Sequence, residues 1–187
     1  MTGSTSDTSI PAAAPVGDTT TCDPGSRTGT VLAALAAQQR RVLGIVADLD
    51  DVQLRRAVLP SGWSCAGMLR HLGLTSAFWC LNVIAGSPCD MAERDDFTVP
   101  GGAAADVVSE AAAQMADAHE IVTPLRLSDP VRWWPEGHWG GWRLTTVHEV
   151  LLHLLVETAC HAGHLDVARE LMDGRTWDYA RGELTPA

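Results

Sequence analysis

Val150-Leu151-Leu152-His153-Leu154-Leu155-Val156-Glu157-Thr158-Ala159-Cys160-His161-Ala162-Gly163-His164 is an apolar stretch interrupted at regular spacing by three imidazoles and a carboxylate. With His153 at zero and about 100° per residue, Glu157 falls near ~40°, His161 near ~80° and His164 near ~20° of a helix. All four therefore share one stripe, roughly a quarter of the circumference. Ionisable groups set among so many leucines are costly unless paired or bound to an ion. Glu157 and His161, at i and i+4, are neighbours on a helix face and can hold one ion together. The helix has clear ends. Thr146 with Glu149 three residues later makes a capping box, and Gly174 sits where a C-terminal cap belongs. Between them lie about 27 residues, or roughly 40 Å of helix.

Two ligands on one helix need a third from elsewhere, and bundles supply it from a facing helix. A second helix is expected from Ser64, a good N-cap, through Leu69, His71, Leu72, Phe78 and Trp79 to Gly86-Ser87-Pro88. Its candidate donor is His71, set amid Met68, Leu69, Leu72 and Leu74. A lone histidine on an apolar face is ordinarily a satisfied core residue. Here its value rises because the last helix lacks a third partner.

The rest of the chain follows the same pattern. Val31, Leu32, Leu35, Val42, Ile45, Val46 and Leu49 recur at helical spacing and predict a first helix from about Thr30 to Asp48. A short helical piece near Val52 to Val58 precedes Pro60-Ser61-Gly62. An Ala-rich third helix is predicted from about Ala103 to Val122. The link from Pro124 to Arg143 carries Trp133, Trp134, Trp139 and Trp142, which either cover one end of the core or wall a pocket. Four helices and no convincing strand predict an all-α bundle. Residues 1–27 are rich in Thr, Ser, Pro, Gly and Ala, and too poor in large apolar side chains to offset the entropy of ordering. They are expected to be a flexible tail, with residues 28–174 as the bundle and 175–187 as a C-terminal tail.

Composition narrows the class. The 187 residues fit one domain, and 46% of them are hydrophobic, enough for a sizeable core. The net charge of −10, with 23 acidic residues against 13 basic ones, argues against a nucleic-acid partner. No apolar run approaches the ~20 residues that cross a bilayer, and no signal peptide is evident, so a cytoplasmic protein without a membrane partner is expected. The five cysteines, Cys22, Cys65, Cys80, Cys89 and Cys160, form no CxxC pair. Cys65, Cys80 and Cys160 are expected as buried small hydrophobes rather than disulfides or zinc ligands. His148-Glu149-Val150-Leu151-Leu152-His153 resembles a zinc-protease helix but has three residues between Glu and His, so its histidines fall about 140° apart and protease activity is not supported. His119 and His138 show no partner pattern and are expected at the surface.

Pro60-Ser61-Gly62-Trp63-Ser64-Cys65-Ala66-Gly67-Met68-Leu69-Arg70-His71-Leu72 resembles the second-helix signature of the DinB-like superfamily. Glu157-Thr158-Ala159-Cys160-His161-Ala162-Gly163-His164, with Leu171-Met172-Asp173-Gly174 behind it, resembles the closing signature. The resemblance spans about residues 30–174. It implies an up-down-down-up four-helix bundle with a divalent metal, zinc or nickel, at one end of the core. Matched position by position, the ligands fall on His71, Glu157 and His161. Glu at the middle position resembles the branch related to mycothiol-dependent maleylpyruvate isomerase and to thiol S-transferases. The chain departs from that isomerase in ending soon after the bundle.

Two functions follow from this reading. In one, the metal activates a low-molecular-weight thiol such as mycothiol, which attacks a small electrophilic substrate to give an adduct or an isomer. His153 or His164 then orients a ligand or moves a proton. In the other, the bundle is a non-catalytic, metal-stabilised binding or stress-response protein. A homodimer is compatible with either.

Overall fold

The structure is a computed structural model and describes residues 24–91 and 97–186. It is mostly helical. Helix α1 (Pro24–Val46) is followed by the short α2 (Asp51–Arg55), α3 (Cys65–Ala77), α4 (Ala104–Val122) and α5 (Val147–Asp173). A π-helical stretch, Phe78–Ile84, carries α3 onward without a break. The chain closes in a hairpin of β1 (Arg175–Asp178) and β2 (Glu183–Pro186), paired antiparallel with Trp177 opposite Leu184.

The helix ends sit where local chemistry puts them. The Ser64 side chain accepts from the Gly67 N–H at 3.1 Å. At the start of α5, Thr146 accepts from the Glu149 N–H at 3.3 Å, and Glu149 accepts from the Thr146 N–H at 3.0 Å. Gly174 ends α5 in the left-handed conformation, φ 73°, which a Cβ would disfavour. Helix α4 has no side-chain cap of its own; Asp51 of α2 accepts from its first N–H instead.

Helix α1 packs along α5, and α3 along α4. Gly73 lets α3 approach α4 closely, since a Cβ there would lie 2.7 Å from the Ala111 Cα. The core divides in two. One cluster joins Val42, Ile45, Met68, Leu69 and Leu72 to Ala162, Leu165 and Ala168. The other joins Phe78, Trp79, Val83 and Ile84 to Val150, Leu151 and Leu154, with Trp134 over it. On α5 the two clusters leave residues 156–161 between them, and on α3 they part after Leu72. The expected ligands lie beside this seam.

Several expectations need correction. Helix α1 begins six residues earlier than Thr30 and ends at Val46, and the short helix is Asp51–Arg55. Of the expected N-terminal tail, residues 1–23, with Cys22, lie outside the described residues. Residues 175–186 are not a strandless tail. The Trp177 ring packs against Gly44, where a Cβ would meet a ring carbon at 2.6 Å, and the Trp177 backbone N–H donates to Asp166 at 3.2 Å. Cys65 and Cys80 are buried as expected, but Cys160 is exposed because its side of α5 meets no neighbouring helix. His119 is half-buried rather than superficial, with its Nε2 2.7 Å from Gln39 Oε1. No helix among the described residues is long and apolar enough to cross a membrane.

Candidate metal centre and its cavity

Glu157 stands between two imidazoles. Its Oε1 lies 3.3 Å from Nε2 of His71 on α3 and 3.2 Å from Nε2 of His161, one turn on along α5. The donor atoms of all three residues fall within 4.8 Å of one another. For bond lengths of about 2.0–2.1 Å in a tetrahedral site, donor atoms stand about 3.3–3.4 Å apart. The two measured separations have that spacing, so the three residues fit a small divalent ion.

The electrostatics favour the same set. The Glu157 carboxyl is held well below the usual carboxylate range, by the hydrogen bond from His161 first and that from His71 second, while burial works the other way. It is thus an anion ready for a cation. On its outer side, His161 Nδ1 lies 3.2 Å from His164 Nδ1. With an ion in place of the His161–Glu157 hydrogen bond, an Nδ1–H on His161 donating to His164 would leave His161 Nε2 with its lone pair toward the ion. His164 itself is exposed, with its ring centre 6.3 Å from that of Trp63. The Phe97 ring lies flat on His71, 4.4 Å between centres and 11° between planes, and fixes the imidazole orientation.

Beside the triad opens a cavity of about 470 Å³. It is lined by His71, Glu157, Thr75 and His153, by Phe78, Trp79, Trp139 and Trp142, and by Met91 and His138. The π-helical stretch supplies Phe78 and Trp79. The irregular segment from Pro124 to Thr146 supplies the remaining tryptophans. It is pinned to the helices by its backbone: the N–H groups of Arg132 and Trp133 both donate to the Val83 carbonyl, at 3.0 and 3.1 Å. The Val147 N–H reaches back to the Asp129 carbonyl at 2.9 Å. The tryptophan segment therefore does both jobs the sequence left open. Trp134 is buried over the core, while Trp139 and Trp142 wall the cavity.

His153 faces this cavity, one turn before Glu157, with its ring 4.8 Å from that of Trp79. Burial lowers its pKa from the ordinary histidine value, and the Glu157 charge partly offsets this. His153 is a neutral imidazole that can accept or pass a proton at the cavity wall. His138 is exposed, as expected, yet it too borders the cavity. Thr75, Phe78 and Met91 were missed as cavity residues; only the tryptophan density hinted that a wall existed. The core cysteines offer no nucleophile, since burial pushes the Cys65 thiol up to about 11 and the Cys80 thiol up to about 12.

A family model described as mycothiol-S-transferase matches residues 30–174. The chain belongs to the mycothiol-S-transferase family. No curated protein and no solved structure matched it. The match covers every helix that carries a donor, and it agrees with the DinB-like resemblance read from the second and last helices. The β1–β2 hairpin lies beyond it. In a mycothiol-S-transferase family member, buried and unreactive core cysteines are no obstacle, because the reacting sulfur arrives with a small-molecule thiol.

Proposed function

We propose that this protein is a metal-dependent transferase that joins a low-molecular-weight thiol of the mycothiol class to a small electrophile. The observation that carries this reading is the convergence of His71, Glu157 and His161, two of which, His71 and Glu157, line an accessible cavity. The scaffold in this reading is an up-down-down-up four-helix bundle. A divalent ion held by these three residues, zinc or nickel, would lower the pKa of a bound thiol and present it as thiolate.

The chain's own residues do the rest. Glu157 contributes one negative charge, so two neutral imidazoles and a carboxylate leave a divalent site at a net +1. A thiolate brings that to zero, which suits a partly dry cavity. His164, behind His161, is a positioning residue that keeps the ligand tautomer. His153, neutral at the cavity wall, takes the thiol proton or passes it to water. The sulfur then forms a bond to the electrophilic carbon, and the leaving group departs with its electron pair. For a substrate without a leaving group, the thiol adds and is later expelled, which yields an isomer. A reducing compartment keeps such a thiol free, and we place the activity in the cytoplasm.

The competing reading is a metal-stabilised bundle with no turnover. Three donors beside an open cavity favour catalysis, because structural sites are closed by a fourth protein ligand. The test is thiol conjugation to a generic electrophile, by protein loaded with one ion per chain and by the same protein after chelation. Metal-dependent conjugation supports the transferase. One tightly held ion with no conjugation for any mycothiol-class thiol supports the non-catalytic bundle.

A further inference from the structure

The cavity beside the triad is lined by His71 and Glu157 and, besides them, largely by aromatic rings. Trp79 and Trp139 lie stacked, 5.5 Å between centres and 17° between planes. Trp142 stands perpendicular to both, at 89° to Trp79 and 83° to Trp139. The rings are packed against each other at 5.4 to 6.1 Å, so no ligand fits between them. Together they form a wall, and its free surface belongs to the cavity. Trp142 remains 43% exposed, an uncovered apolar ring at the rim.

The charges at the site decide what kind of molecule this wall takes. Glu157 is the one formally charged side chain lining the cavity among the described residues, and no Arg lines it. Among the described residues an anion therefore meets no Arg there. A cation could be drawn by indole faces. However, the Glu157 charge is already engaged by His71 and His161, and a divalent ion with a bound thiolate would leave the site neutral. A neutral molecule is favoured on both counts. Indole rings in edge and face arrangements reward a flat aromatic partner beyond its buried area. The volume of about 470 Å³ is within the range of small-molecule sites.

We propose that the tryptophan wall is the electrophile subsite and that it takes neutral, planar aromatic molecules. A ring seated on Trp139 and Trp142 shares the cavity with Glu157 and His71, so a substituent carbon on that ring can reach the donors. A second cavity of about 580 Å³, lined by Arg55, Ser61, Ser64 and Trp63, opens near Phe97 and offers polar groups to a polar thiol. The chemistry rests on the transferase reading above, in which the S–C bond forms at the arylmethyl carbon as the leaving group on that carbon departs with its electron pair. Binding of the ring does not.

The experiment is calorimetric titration of the metal-loaded protein with an unreactive probe, 1-naphthylmethanol. Cyclohexylmethanol and 1-naphthylmethylammonium serve as non-planar and cationic controls, and metal content is measured on each sample. The expected result is naphthylmethanol binding at least tenfold tighter than either control. Trp139→Leu and Trp142→Leu should each weaken it fivefold or more, about 1 kcal/mol. Equal binding of the cyclohexyl control, tighter binding of the ammonium, or unchanged affinity in both variants overturns the proposal. If the variants do not fold, wild-type intermolecular NOEs decide it, expected from the naphthyl protons to the Trp139 and Trp142 indoles and the Thr75 methyl. Naphthyl binding without thiol transfer would sink the transferase reading alone. Thiol transfer without naphthyl binding would sink this proposal alone.

Discussion

Replacing Glu157 by Gln keeps the side chain's shape and removes its charge, so it separates the possible roles of this residue by size of effect. The carboxylate oxygen sits 3.2 and 3.3 Å from two Nε2 atoms, at the spacing of donors around one ion. Changes to residues that merely support a ligand cost about 10–100-fold in metal affinity. A direct anionic donor should cost at least the upper end, ~100-fold or about 2.7 kcal/mol. The metal-free protein should respond in a different measure. There Glu157 accepts two charge-assisted hydrogen bonds, worth about 1.5–3 kcal/mol each when buried. Its side chain is 30% exposed, and water replaces part of that. The expected loss is about 1 kcal/mol, a fall in melting temperature of roughly 2–4 °C. Competition against a chromophoric chelator measures the first quantity, and thermal unfolding of chelated protein the second. An unchanged metal Kd in Glu157→Gln would refute Glu157 as a ligand. A large fall in stability without metal, with little change in Kd, would mean that the residue is structural.

Three further outcomes are expected. His164→Ala should weaken metal binding about tenfold or more while leaving the chelated protein's melting temperature unchanged, since His164 is exposed and touches the site only through His161. Asp48 is held down to about 2, by hydrogen bonds from buried Arg169 and then from Arg175, against an ordinary value of 3.8. Its folded pKa is the lower one, so its stabilisation is present above about pH 4 and is lost as the pH falls toward about 2; urea midpoints of Asp48→Asn should show a shallower decline than wild type over that window. Deleting residues 175–187 should lower the melting temperature by several degrees, because Trp177 covers Gly44 and the pair of Arg41 and Asp166 loses its cover from β1 and Tyr179; an unchanged melting temperature would show that the hairpin is dispensable.

The features of this protein legible in its sequence are those that depend on neighbours along the chain. Ser64, the Thr146–Glu149 box and Gly174 mark helix ends because a cap is made within four residues. Glu157 and His161 declare a shared site because i and i+4 always meet on a helix. His71 was reachable only by asking which apolar histidine on another helix could complete the set. What the tertiary structure alone decided depends on contacts remote in sequence. The π-helical stretch at Phe78–Ile84 slips the register and carries Phe78 and Trp79 to the cavity, and nothing local to FWCLNVI demands it. Trp139 and Trp142 become a cavity wall only because Arg132 and Trp133 are tied to Val83, some fifty residues earlier. Cys160 and Ala162 lie two residues apart in the same helix, yet one is exposed and one buried, because the docked helices cover one side of α5 and not the other. The last twelve described residues form a hairpin for the same reason: its strands are too short to be stable alone, and the surface that holds them is made by Gly44 of α1 and Asp166 of α5.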